Sequence, residues 1–140
     1  MRRYLVVAHR TLGGAHLFEH LHHLREEDPY CRFHFVVPQY HPTDRPWTEY
    51  SVHDEAQARL DEMLENMAAM GMGASGEVGD ANPVYAVGAA FRHEGDDFTG
   101  IVLSTLPKRL SMWWQVPRRI AREYPHIPLT HLVAEDVAVS

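Results

Sequence analysis

Residues 11–14 read Thr-Leu-Gly-Gly and stand between an apolar run and a stretch with helical patterning. That order suits anion binding. Gly13 and Gly14 let backbone N–H groups approach a phosphate, the helix presents its positive end, and Thr11 adds a hydroxyl. A tight strand-to-helix turn that needs glycine for its dihedrals would read the same way. Neither a Gly-x-Gly-x-x-Gly nor a Walker A pattern is present. Ser104 and Thr105 close a second apolar run, where small hydroxyls can bind ribose or phosphate with Lys108 and Arg109 nearby. They suit equally well a capped turn before Pro107. Asp80, after Gly79, can bond a ribose hydroxyl or simply form a turn. Trp47 and Tyr50, in the long loop at 39–51, could stack on a base.

His16-Leu17-Phe18-Glu19-His20 matches H-x-x-E-H, the inverted zinc-protease string, and His23 extends the row. His16 and His20 lie one helical turn apart, which suits a metal. The row nevertheless falls only ~60–100° around the helix from Leu17, Leu21 and Leu24, the boundary where part-exposed polar residues sit. The chain lacks the helical domain that supplies a third ligand in such proteases, so no metal is expected. The lone Cys31 begins a strand and reads as structural; with one cysteine no internal disulfide forms, which fits a reducing, cytoplasmic setting. No Gly-x-Ser-x-Gly elbow is present, and no acidic pair follows the first run as a phospho-acceptor receiver would require.

The elements that must position these residues alternate strand and helix. Strands are expected at residues 4–8, 32–37, 75–78, 100–104 and 129–133. Helices are expected at about 15–26, 52–70, from Asn82-Pro83 to the 93–95 region, and 112–123. Continuous apolar runs such as Tyr4-Leu5-Val6-Val7-Ala8 mark strands buried on both faces. Asn82 before Pro83 is a strong helix start. Such a series predicts a mainly parallel sheet with helices on both faces and right-handed crossovers. Ligands then sit beyond the carboxyl ends of the strands, where the order reverses. Four loops meet that description: 9–14, 38–51, 79–82 and 104–111. The adjacent Trp113 and Trp114 diverge by ~100° on a helix, so one buried and one part-exposed ring is expected.

The totals describe one domain over residues 1–134, with 135–140 as a tail. Of 140 residues, 45% are hydrophobic and 23% charged, as in a globular chain rather than a disordered one. A net charge of −6 and the absence of a basic stripe exclude nucleic acid as the main partner. No apolar run approaches the ~20 residues that span a bilayer, so no membrane partner is expected.

Three blocks carry a family resemblance: Arg3-Tyr4-Leu5-Val6-Val7-Ala8, residues 76–83 (Gly-Glu-Val-Gly-Asp-Ala-Asn-Pro), and residues 98–133 with Val116-Pro117-Arg118-Arg119-Ile120 and His126-Ile127-Pro128-Leu129. Over about residues 3–133 the layout resembles the universal stress proteins, of the adenine-nucleotide α-hydrolase-like group, and specifically a divergent actinobacterial branch with a Thr-Leu-Gly-Gly turn. The resemblance implies a three-layer α/β/α sandwich around a five-stranded parallel sheet of order 3-2-1-4-5. It also implies homodimers through the last strand and, in some members, ATP or another adenine nucleotide as ligand. Residues 105–117 contain none of the glycines of the family's ATP motif, and His9 stands where an acid usually ends the first strand. The implied role is a non-catalytic ligand-binding or regulatory stress-response module. The alternatives are a small nucleotide hydrolase or transferase using His9 as acid/base, or an interaction domain working through Trp113 and Trp114. By position at the strand ends, Thr11, Gly13 and Gly14 would take phosphate, Val37 the base and Asp80 the ribose, with Ser104 and Thr105 alongside.

Overall fold

A computed structural model describes residues 2–134, apart from the Arg109 side chain. The proposed tail at 135–140 lies outside the described residues. Five strands, β1 (Arg3–Val7), β2 (Arg32–Pro38), β3 (Gly73–Gly79), β4 (Gly100–Thr105) and β5 (Leu129–Val133), form one sheet of order β3-β2-β1-β4-β5, every pair parallel. Four helices connect them: α1 (Ala15–Glu27), α2 (Glu49–Ala69), α3 (Pro83–Glu94) and α4 (Val116–Glu123). The strand order is the one implied by the resemblance.

Alternation along each strand divides the core into two layers. Val6, Phe33, Phe35 and Val37 pack with Leu17 and Leu21 of α1 and with Leu60, Met63 and Met67 of α2. Leu5, Val7, Val36, Ile101 and Leu103 pack on the other side with Val84, Val87 and Ala90 of α3 and Ile120 of α4. Cys31 is buried in the first layer, where burial raises its thiol pKa.

Three boundaries differ from the sequence expectation. α2 starts at Glu49 rather than residue 52, because Thr48 and Ser51 form a reciprocal capping box. α4 starts at Val116 rather than residue 112. Pro117 fits the first turn of a helix but not its interior, so residues 108–110 form a short 3₁₀ turn and Trp113 and Trp114 stay in the loop. β3 runs from Gly73 to Gly79, longer than 75–78, because it pairs with β2 along its whole length.

Gly79 at the end of β3 lies against Ala86 of α3. A Cβ there would lie 2.6 Å from the Ala86 Cβ and 3.3 Å from Val36 Cγ1. Gly79→Ala therefore has to push α3 off the sheet, and an overpacked site of this kind costs ~1–3 kcal/mol. The expected result is a lower urea midpoint at unchanged slope; an unshifted midpoint would show that α3 yields freely.

Candidate functional site

The sheet order reverses between β1 and β4, and there a cleft of about 570 Å³ opens beyond the strand carboxyl ends. All four loops singled out by the sequence contribute to it, through His9–Thr11, Gln39–His41, Ala81–Pro83 and Ser104–Leu106, and the loop into α4 closes one side. Its size falls in the ~300–1,000 Å³ range of small-molecule sites.

At the floor, the ends of β1 and β4 bring three side chains together across the sheet. The hydroxyls of Thr11 and Ser104 are 2.6 Å apart, and Ser104 Oγ lies 2.9 Å from His16 Nε2. Thr11 and Ser104 are both buried. The reach of His16 depends on Gly14, the N-cap of α1. A Cβ on Gly14 would meet His16 Cε1 at 2.6 Å and Nδ1 at 2.7 Å, so the bare glycine leaves the space the ring occupies. Beside this group, Thr105 Oγ1 bonds His131 Nε2 at 2.8 Å; burial lowers the His131 pKa.

Two buried histidines show what is distinctive here. His34 in β2 has both ring nitrogens engaged, by Ser75 and by Glu77, each at 2.8 Å; the second oxygen of Glu77 meets His93. It is a satisfied core residue. His9 is only 3% exposed, lines the cleft, and has no hydrogen-bond partner on either nitrogen. Its nearest carboxylate, that of Glu55, is 4.0 Å away and also lies near Arg45 and Arg59. Burial, reinforced by Arg59 and Arg10, pushes the His9 pKa down to about 4, so the ring is neutral at physiological pH and offers one donor and one acceptor.

The walls combine cationic and aromatic groups. Arg10 stacks over Tyr40 at 5.6 Å, and Tyr40 lies 5.7 Å from the His9 ring. Trp113 is half-buried and leans on the core, whereas Trp114 is 55% exposed and carries Lys108 over its face at 5.2 Å. The two rings differ in burial as expected, but both are more exposed than the expected buried and part-exposed pair, because they lie in a loop rather than on a helix.

Of the sequence-proposed site residues, the structure gathers Thr11, Ser104 and Thr105 in the cleft. Gly13 faces away, beside a shallow hollow of about 100 Å³ with Arg59 and Glu62. Gly14 acts under the ring of His16. Val37 is fully buried in the first core layer, and Asp80 is exposed, accepting from the Asn82 N–H in a local turn at 2.8 Å. None of these last four lines the cleft. Trp47 stacks on His41, centroids 4.1 Å apart, and Tyr50 sits exposed in the first turn of α2. Among the described residues no group of three or more His, Cys, Asp or Glu side chains is placed to share a metal ion.

The sheet is doubly wound, and its cleft lies at the switch point, the place where folds of this class hold ligands. No protein-family model and no curated protein sequence matches the chain. Solved structures do. A universal stress protein family member from Burkholderia pseudomallei aligns over 93% of this chain and 94% of its own, with 15% identity and a TM-score of 0.62. A universal stress protein family protein from Arabidopsis thaliana, solved with AMP bound, aligns over 100% of this chain and 96% of its own, with 8% identity and a TM-score of 0.63. The fold is that of the universal stress proteins.

Proposed function

We propose that this protein is a ligand-binding regulatory module whose cleft takes an anionic aromatic small molecule of the adenine-nucleotide class. The observation that carries this reading is His9. A buried imidazole with neither nitrogen paired costs ~1–3 kcal/mol, and a ligand that pairs one of its nitrogens removes part of that cost. An aminopurine carries a donor and an acceptor side by side, so one of them can meet whichever role the facing His9 nitrogen takes. Tyr40 and Trp113 give it flat neighbours, and Arg10 and Arg119 at the walls suit a phosphate. Phosphate binding here relies on arginines and the Thr11 and Ser104 hydroxyls instead of the missing glycines. The AMP seen in the Arabidopsis neighbour supports the ligand class.

The module reading is preferred to an acid/base role for His9. With a pKa near 4 the ring is a weak base at neutral pH, while an enzyme of that design needs titration near neutrality. The same reading includes a cytoplasmic location and self-association through β5, which is the outer strand of the sheet and is largely exposed. Among the described residues no helix is long and apolar enough to cross a membrane.

Melting in the presence of a nucleotide panel tests the proposal, because a ligand that binds only the native state raises the transition. At a hundredfold excess over Kd the gain is ~2.7 kcal/mol, a shift of several degrees. A rise with AMP, ADP or ATP is expected; a flat response across all three at millimolar concentration rejects the ligand class.

A further inference from the structure

We infer that Ser104 is a nucleophile activated by His16, and that the cleft accepts an acyl group from an activated ester onto Ser104 Oγ. This goes beyond the binding role and does not require the resident ligand to be a nucleotide.

Three observations carry it. Ser104 lines the cleft, and its Oγ is 2.9 Å from His16 Nε2, within reach for proton transfer from a serine to a base. Thr11 Oγ1, at 2.6 Å, can donate to the same oxygen, which leaves the serine proton directed at the imidazole and stabilises the oxygen as that proton departs. Gly14 fixes the base: its bare Cα is the surface against which the ring rests, and any side chain there would displace it. Serine, imidazole and the support for the imidazole come from β4, from the first turn of α1 and from its N-cap.

The chemistry balances with an ester and water. As the bond between Ser104 Oγ and the acyl carbon forms, the serine proton passes to His16 Nε2. The ester C–O bond breaks, and the leaving alkoxide takes that proton from His16. Water then attacks the acyl-serine, gives a proton to His16, and releases the acid as Ser104 Oγ recovers its proton.

A fluorophosphonate probe tests this on the full chain. Attack forms an Oγ–P bond, fluoride leaves, and the serine proton passes through His16 to solvent. The expected result is one label per chain, mapped by peptide mass spectrometry to Ser104 and absent in Ser104→Ala. In His16→Gln, which keeps a hydrogen-bonding side chain, labelling should slow ~100-fold or more. Gly14→Ala should slow it in the same direction by moving the ring, with the melting curve reporting that the chain is folded. No labelling of the native protein, labelling at another residue, or equal rates in native and His16→Gln protein overturns the inference. AMP binding followed in the same samples keeps the two readings apart: a label without nucleotide binding supports Ser104 and rejects the nucleotide, and the converse does the opposite.

Discussion

Replacing His9 by leucine is expected to make the ligand-free protein more stable while abolishing its ligand affinity. Leucine keeps an apolar side chain in the buried site and removes two ring nitrogens that have no partner. Relief of an unsatisfied buried polar group is worth ~1–3 kcal/mol, which a urea midpoint resolves easily. Most core substitutions destabilise, so a gain here would mark a residue kept for binding rather than for folding. A lower midpoint would show that His9 is a structural residue after all.

The same substitution changes the acid limb of stability. His9 has a pKa near 4 in the folded protein against an ordinary 6.5. Above about pH 6.5 the ring is neutral in both states and contributes no pH dependence. Between about pH 6.5 and pH 4 the unfolded chain takes up the proton that the folded chain refuses, so stability falls as pH falls through that window. The loss saturates below the folded pKa and amounts to at most ~3 kcal/mol. In His9→Leu this component vanishes, and the difference between the two proteins in melting temperature should widen as pH is lowered from about 7 to 5.

The Thr11–Ser104 pair carries the second large effect. Ser104→Ala strands the Thr11 hydroxyl in a buried site and removes the contact to His16 Nε2, so it should cost ~1–3 kcal/mol, whereas Thr11→Val leaves Ser104 Oγ bonded to His16 and should cost less. The double variant removes both hydroxyls together and should cost less than the sum, a coupling of ~0.5–3 kcal/mol in a double-mutant cycle. If these hydroxyls hold the ligand phosphate, the double variant also loses at least ~10-fold in affinity for whichever nucleotide raises the melting temperature, as two neutral hydrogen bonds imply. Undiminished affinity would remove Thr11 and Ser104 from the binding site.

The parts of this molecule that were legible in its sequence are those set by local pattern. The continuous apolar runs at Tyr4–Ala8 and Gly100–Ser104 marked doubly buried strands, and the β-α alternation led to a parallel sheet and to the four loops of the cleft, whereas the strand order came from the family resemblance. Thr11, Ser104 and Thr105 followed from their place at strand ends. What pattern could not show was which way a side chain turns. His16 lies off the leucine stripe of α1, so periodicity placed it at a solvent boundary. Its true partner is 88 residues away, and the contact exists only because Gly14 lacks a Cβ. Gly14 looked like a phosphate cradle for the same reason that it makes room for a ring. Val37 and Asp80 were placed by strand position alone, whereas pleat direction sends Val37 into the core and an Asx turn occupies Asp80. His9 follows β1 and His34 lies within β2; both are buried, and their partners are what distinguish them.

The most direct test follows the His9 ring itself. Two-dimensional ¹⁵N spectra of histidine-labelled protein, assigned through His9→Leu, report the tautomer and hydrogen bonding of each ring nitrogen. Without ligand, the His9 signals should be those of a neutral ring and stay unchanged from about pH 7 to pH 5.5. Saturating AMP should shift the His9 nitrogen that pairs with the ligand, while the His34 signals hold still. If AMP binds and the His9 nitrogens do not move, the cleft is not read through His9 and the account fails.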